Sequence, residues 1–306
     1  MIEPGPYGNS GQFKRRRIVK NTTFDFRDAI FIANEDSSNA EIYPINLGSR
    51  NESDIGAING VVVGAQPLSL TWNEVKSRYG GSAVFMRTAG MKTVKDFFAY
   101  NVEDGFAPRG GGEWLVRDSW FCGIRDDAIE ADTLLDGHVE NCLFESYVSF
   151  SHRPGAKADL FFYGPARLTV RRCLLKLQPQ TKHKKSRFHV DGKSIGQFFK
   201  RTSVGPDKHC SVVPVVSDSI LFMPQMASRG PKTMGFPHGQ YNNVTLVWGG
   251  GGAYPAEIPR GITLTRDVSV WENARRDWIA ANSHRFPNRS LPSRSGLVDL
   301  DIPDSD

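Results

Sequence analysis

The chain reads as an all-β protein, a parallel β-solenoid of coils of roughly 22–25 residues, with a short helix near the C-terminus. Three observations predict this. Segments of one pattern recur, TVKDFFAYNVEDGF (93–106), LVRDSWFCGIRDDAI (115–129), HVENCLFESYVSFS (138–151) and TVRRCLLKLQPQ (169–180). Within each, Val, Phe, Ile and Leu alternate with polar residues over a few positions between Gly, Asn and Asp, which is the chemistry of short strands with tight corners. Helical periodicity is missing between them, which argues against βαβ units and a doubly wound sheet. A helix-free repeat of this length buries its apolar positions by stacking coil on coil.

The opening MIEPGPYGNSGQFKRRR has no apolar h-region, so no signal peptide is read there. In the N-terminal region, 1–60, RIVKNTTFDFRDAIFI reads as an early coil, and INGVVVGAQPLSLTW reads as another at the start of the main solenoid, 60–271. There Val94, Val116, Val139 and Val170 lead successive units, and the residue two places on is Asp96, Asp118, Asn141 and Arg172. The marker returns as Asp218, Asn242 and Asp267, giving spacings of 22, 23, 31, 46, 24 and 25 residues. The interval of 31 is read as one coil with a longer loop, and that of 46 as room for an additional, unmarked coil. Such regularity assigns the markers a structural role. In the C-terminal region, 272–306, Ala274, Trp278 and Ala281 have helical spacing within WENARRDWIAANSHRF. A helix there is expected to cap the open edge of the last coil. The whole is read as one domain.

Composition agrees with a soluble globular chain: 306 residues, 39% hydrophobic and 23% charged. No apolar run reaches the ~18–20 residues of a membrane span, which excludes a helical membrane protein. The four cysteines, Cys122, Cys142, Cys173 and Cys210, lack CxxC spacing, which argues against a disulfide scaffold or zinc site. The net charge of +5 is concentrated in the basic segment 178–212, where Lys182, Lys184, Lys185, Arg187, Lys193, Lys200, Arg201 and Lys208 face only Asp191 and Asp207. Such a segment points to a polyanionic partner.

Coil length, strand openings of the VxDSxF type and like residues at equivalent positions, such as Cys142 and Cys173, carry a resemblance over about residues 90–271. By these features the chain resembles the right-handed parallel β-helix of the pectate lyase-like superfamily. That resemblance implies a shallow groove along the strands, polysaccharide lyase or glycoside hydrolase activity, and a secreted or periplasmic home.

GIRDDAIEAD (123–132) raises the question of what tolerates four carboxylates in ten positions. Counting ten residues from the leading valines places Asp104 and Asp126 one above the other on consecutive coils, with Asp127 beside them. Carboxylates so close need a proton, a cation or a metal. Arg125 is the expected internal cation, and the next coil brings His152 and Arg153 to the same face. Lys200, after Phe198 and Phe199, is a candidate clamp or base. The candidate catalytic set is therefore Asp104, Arg125, Asp126, Asp127, His152, Arg153 and Lys200. Glu130, Arg187, His189, Trp248 and Tyr254 are candidate substrate contacts, the last two as stacking faces. Asp104, Asp126 and Asp127 are the ligands expected for a Ca2+ ion, although no dedicated calcium loop is present.

The function expected first is a lyase acting on an acidic polysaccharide. Cations (Arg125, Arg153 or Lys200) would neutralise the uronate, and His152 or Lys200 would remove the C5 proton. The alternative is a glycoside hydrolase using paired carboxylates, and a further one is a non-catalytic glycan-binding module. Phe198 and Phe199 beside Lys200 and Arg201 only superficially resemble a nucleic-acid stacking platform, and neither a nucleic-acid nor a membrane partner is expected.

Overall fold

The computed structural model describes residues 2–4, 13–33, 43–49, 51–64, 67, 69–78, 80–131, 135–152, 166–181, 192–200, 212–225, 236–251, 254, 258–286, 291–293 and 296–298. Twenty strands form one sheet that winds around an axis as a parallel β-helix with three faces. The first face is built from Phe13–Ile18, Ile45–Ser49, Ser82–Arg87, Asp104–Arg109 and the C-terminal halves of Trp120–Ala131 and Leu143–His152. The second stacks Thr22–Asp25, Ile55–Ile58, Lys92–Lys95, Trp114–Arg117, Gly137–Glu140, Ala166–Arg171 and the first part of Val212–Met223. The third runs from Ile30–Ala33 and Val61–Gly64 through Phe98–Tyr100 and Leu174–Leu177 to Ile262–Thr265. The coils before residue 60 belong to the same sheet as those after it.

The sequence markers sit at the corner between the second and third faces. Asp96, Asp118, Asn141, Arg172 and Asp218 all have φ between 50° and 52°. This left-handed conformation is costly for most side chains and is best tolerated by Asn and Asp, which explains the recurring choice. The side chains also bond along the stack: Asn141 Nδ2 donates to Asp118 at 2.7 Å, and Asn243 Nδ2 to Asp218 at 2.9 Å. The following position carries a small donor that turns back to the carbonyl two residues earlier. Ser119 does so at 2.8 Å, Cys142 and Cys173 at 3.2 Å, and Ser219 at 2.7 Å. The small or sulfur residue of the repeat is thus a corner brace, and these two thiols are buried and free.

Register corrects three expectations. Val170 pairs with Val216 and Leu174 with Ile220, so the interval of 46 is a single coil and contains no unmarked one. Its extra length leaves through an antiparallel pair, Gln180–Thr181 with Lys193–Ser194, and returns where Phe199 bridges to Phe150 on the first face. The left-handed corner near residue 242 is Asn243, one place later than the pattern marks it. Asp267 is no corner at all: its carboxylate accepts from the Ser269 N–H at 3.0 Å ahead of the C-terminal helix, where the coils have ended. The segment ending INGVVVGAQPLSLTW also contains more than a coil. After Val61–Gly64 the chain forms helix α1 (Trp72–Arg78), where Thr71 and Glu74 make a reciprocal capping box, with Glu74 accepting from Thr71 N–H at 2.8 Å.

Third-face strands are apolar on both sides. Val62, Ala99, Phe121, Phe144, Leu175, Leu221 and Leu246 fill the interior, while Val61, Phe98, Trp120, Leu143, Leu174, Phe222 and Val247 point outward. Continuous apolar strands need cover on both surfaces. The helix predicted at the C-terminus, α2 (Ser269–Asn282), supplies it by lying along this face instead of capping the last coil. Its contacts descend the stack: Trp271 meets Phe222 at 5.8 Å, Trp278 meets Trp120 at 6.3 Å, and the following Phe286 meets Phe98 at 6.2 Å. Polar ties fix the register, with the Trp278 indole donating to Asn141 at 3.1 Å and Arg275 clasping Glu145 at 3.0 Å.

Asn141 therefore joins a strained corner, the side-chain ladder and α2. Asn141→Ala is expected to cost about 2–4 kcal/mol, combining the left-handed backbone penalty with lost hydrogen bonds. Asn141→Gly should recover the backbone share of roughly 1–2 kcal/mol. Urea unfolding of the wild type and both variants measures the two shares, and equal losses in the variants would refute the backbone contribution.

Candidate functional site

The acids gather where the third face turns into the first. Asn101 makes that turn with φ 52° and donates through Nδ2 to the Gly64 carbonyl at 3.1 Å. One coil later Tyr100 pairs with Cys122, 22 positions on, and that offset holds into the acids. The Arg125 N–H donates to the Val102 carbonyl at 2.8 Å and the Asp126 N–H to the Glu103 carbonyl at 2.7 Å, which in a parallel ladder sets Asp126 opposite Asp104. Phe106 pairs with Ile129, 23 positions on, so one extra residue, a bulge, lies between Asp126 and Ile129. Asp127 follows Asp126 there and donates its backbone N–H to the Asp104 carboxylate at 3.0 Å. Counting from the valines thus aligns Asp104 with Asp126 as the structure does, and misses Glu103, the residue before Asp104.

Four buried carboxylates, Glu103, Asp104, Asp126 and Asp127, thus occupy two consecutive coils. Their cations come from elsewhere in the chain. Lys76 of α1 approaches Asp126 at 3.7 Å, and Lys200 contacts both oxygens of Asp127, at 3.0 and 3.3 Å. Half-buried Glu130 pairs with Arg109 at 2.8 Å on the rim. Arg125, expected as the internal partner, donates instead to the Leu70 carbonyl. It lines an adjacent hollow of about 180 Å³ with Gln178, Gln180, Thr181 and Lys193.

Burial dominates the electrostatics. It pushes Glu103 up to about 7, against the Lys76 ammonium and the Gly81 N–H that donates to Glu103 Oε2. Asp127 is pushed up to about 8 by burial and by Asp126, with Lys200 opposing. Burial, then Glu130, Glu103 and the other two aspartates, hold Asp104 well above its ordinary range. The cluster therefore retains protons at neutral pH while Lys76 and Lys200 offset charge at its edge.

Asp104, Asp126 and Asp127 each offer an oxygen within 4.8 Å of the others. That separation fits opposite sides of one Ca2+ coordination sphere, about 4.6–5.2 Å across. The donor set suits a hard cation, but Lys200 already holds both Asp127 oxygens and the Asp127 N–H is bonded to Asp104.

The remaining expected residues do not converge here. His152 pairs with Ala131, four residues beyond the Asp127–Val148 pair, which places its backbone about 13 Å along the strand from the acids. Its ring is buried edge-on to Trp114 at 5.6 Å, and burial pushes it down to about 4. Trp248 is 1% exposed within the interior, so it has no face for a sugar. Tyr254 is exposed with Arg266 over its ring at 4.7 Å, near the last coils. Arg153, Arg187, His189 and most of the basic segment lie outside the described residues.

The raised acids also predict a pH effect on stability. Between its ordinary value of 4.5 and about 7, Glu103 keeps a proton when folded that the unfolded chain has released. Stability should fall as pH rises through that window and level off above it. Thermal melts from pH 5 to 8 should show a shallower fall for Glu103→Gln, with the variant melting above wild type at pH 8. Parallel curves would refute the buried protonated carboxyl.

Comparison with protein-family models, with curated proteins and with solved structures finds no match to this chain, so its chemistry is inferred from the buried carboxylate cluster.

Proposed function

We propose that the protein is a carbohydrate-active enzyme of the pectate lyase-like β-helix type that hydrolyses glycosidic bonds in an acidic polysaccharide. The observation that carries the proposal is the burial of Glu103 and Asp126 in one cluster on consecutive coils, where the Asp126 N–H donates to the Glu103 carbonyl and Lys76 approaches the Asp126 carboxylate. Glycoside hydrolysis needs one carboxyl that holds its proton and one that works as a carboxylate. Glu103, pushed up to about 7, is suited to donate a proton to the leaving oxygen. Asp126, facing the Lys76 ammonium, supplies the second group, and Asp104 and Asp127 support the pair from the neighbouring positions.

Hydrolysis is preferred to β-elimination for a geometric reason. A lyase needs a base close to the cationic clamp, but His152 stands well along the strand and Lys200 is engaged in an ion pair with Asp127. Anionic substrates remain favoured by Lys76, Lys200, Arg109 and the Arg125–Lys193 hollow. Asp104, Asp126 and Asp127 are the residues that would hold a Ca2+ ion, which would supply positive charge for an anionic substrate once Lys200 gave up Asp127. A secreted or periplasmic location accords with such a substrate.

Incubation with polygalacturonate and alginate, with and without calcium, should release reducing ends without a rise in absorbance near 235 nm. Glu103→Gln and Asp126→Asn should each lower turnover by roughly 10²–10⁴-fold while the fold persists by circular dichroism. The wild-type rate should decline above about pH 7 as Glu103 loses its proton. Rising absorbance would establish elimination instead. Binding without cleavage across the panel would favour a non-catalytic glycan module.

A further inference from the structure

We propose that the first face carries a second binding site, a file of arginines running from the first coil to the acid cluster, that holds an anionic glycan chain upstream of the point of cleavage. This rests on the reading of the protein as a glycan-active enzyme and extends it to residues outside the acid cluster.

The four stacked strands Phe13–Ile18, Ile45–Ser49, Ser82–Arg87 and Asp104–Arg109 contain six cations, Lys14, Arg15, Arg16, Arg17, Arg87 and Arg109, and one carboxylate, buried Asp104. Register aligns part of this charge. Arg109 pairs with Arg87, and Arg87 pairs with Gly48 on the coil below. A side chain placed on Gly48 would lie 3.6 Å from the Arg16 backbone. Arg16, Gly48, Arg87 and Arg109 therefore form one column across four coils, about 14 Å from end to end.

This arrangement opposes folding unless something compensates. Like charges directly across neighbouring strands repel. Arg109 is compensated by Glu130, at 2.8 Å, which also joins the column to the acid cluster. Arg16 and Arg87 are exposed and form no ion pair with a described residue. Between them Gly48 leaves a notch. A Cβ there would make only ordinary contacts, the nearest at 3.6 Å, so crowding does not demand glycine. A notch between two guanidinium groups two coils, roughly 9.6 Å, apart fits a linear polymer that carries acidic groups along its length. Guanidinium groups bind carboxylates and sulfates through paired N–H donors.

Affinity electrophoresis and calorimetry on Glu103→Gln protein separate binding from cleavage, with polygalacturonate, alginate and heparin as probes and methyl-esterified polygalacturonate as the uncharged control. At least one anionic glycan should bind in a salt-sensitive manner, and the ester should not. Adding Arg87→Glu should weaken that binding about tenfold or more. Adding Arg276→Glu on α2, an identical change of net charge away from the column, should leave it within about twofold. Equal weakening by both reversals, unchanged binding with Arg87→Glu, equal binding of the ester, tighter retention of single-stranded DNA, or no binding to any probe would each overturn the proposal. Reducing-end release by wild type is scored separately, so cleavage with a failed column and binding without cleavage give different records.

Discussion

In-register stacking at the corner between the second and third faces is the constraint on which the molecule depends. Each coil must reverse at the same angular position or the coils above lose their partners. A left-handed residue accomplishes the reversal in one step, at Asp96, Asp118, Asn141, Arg172, Asp218 and Asn243. Asn and Asp reduce the cost of that conformation and use their side chains to bind the next coil. The serine or cysteine that follows braces the same turn from inside. Trp278 and Arg285 attach to this corner from outside, Arg285 pairing with both Asp96 and Asp118. Corner and strut are mutually supporting: α2 gains its polar anchors from residues whose first task is backbone geometry.

The acid cluster exists because the opposite requirement is met at another corner. One residue is inserted between Asp126 and Ile129 after the third face has turned into the first, and the bulge adds Asp127 to the stacked Asp104 and Asp126. Burying carboxylates there is costly, and the cost appears as retained protons on Glu103, Asp104 and Asp127. The chain limits that cost with elements that interrupt the solenoid. α1 brings Lys76, and the long excursion after Leu177 returns with Lys200. Segments that look like irregularities in a repeat protein are thus the ones that make its charged site tolerable.

That division explains what was legible in the sequence. Coil length, strand content, the corner markers and the C-terminal helix follow from local patterns that the solenoid repeats, and periodic signals accumulate over coils. Asp104, Asp126 and Asp127 were found because they share that period. Glu103 and Lys76 were not, since one lies a residue away from the counted position and the other on a helix outside the repeat. His152 and Trp248 were misplaced for a different reason. Sequence proximity brought His152 to the right coil, but four residues along a strand is a large distance in an extended chain. Trp248 looked like a rim aromatic, yet it lies at the end of a strand whose partner, Met223, is also interior. Helix α2 was recognised by its period, but whether it covers an end or a side depends on the outward apolar row of the third face, which is assembled only when the coils stack.

A solenoid converts position within the repeat into position along a line, and this has a consequence for how such a chain acquires function. Substituting one residue in a coil places the new group directly above and below the groups at that phase. The same rule that aligns Val94, Val116 and Val139 in the core also brings Asp104 against Asp126 and sets Arg87 against Arg109. Apolar columns gain from this alignment, because burial is additive. Charged columns lose from it, because like charges repel at one strand spacing. A charged column is therefore a poor structural choice, and where one persists it requires a partner: a proton or lysine at the acids, and, along the first face, Glu130 for Arg109 and the polyanion proposed for the rest. Reading columns in place of single residues separates what stabilises the solenoid from what the solenoid presents.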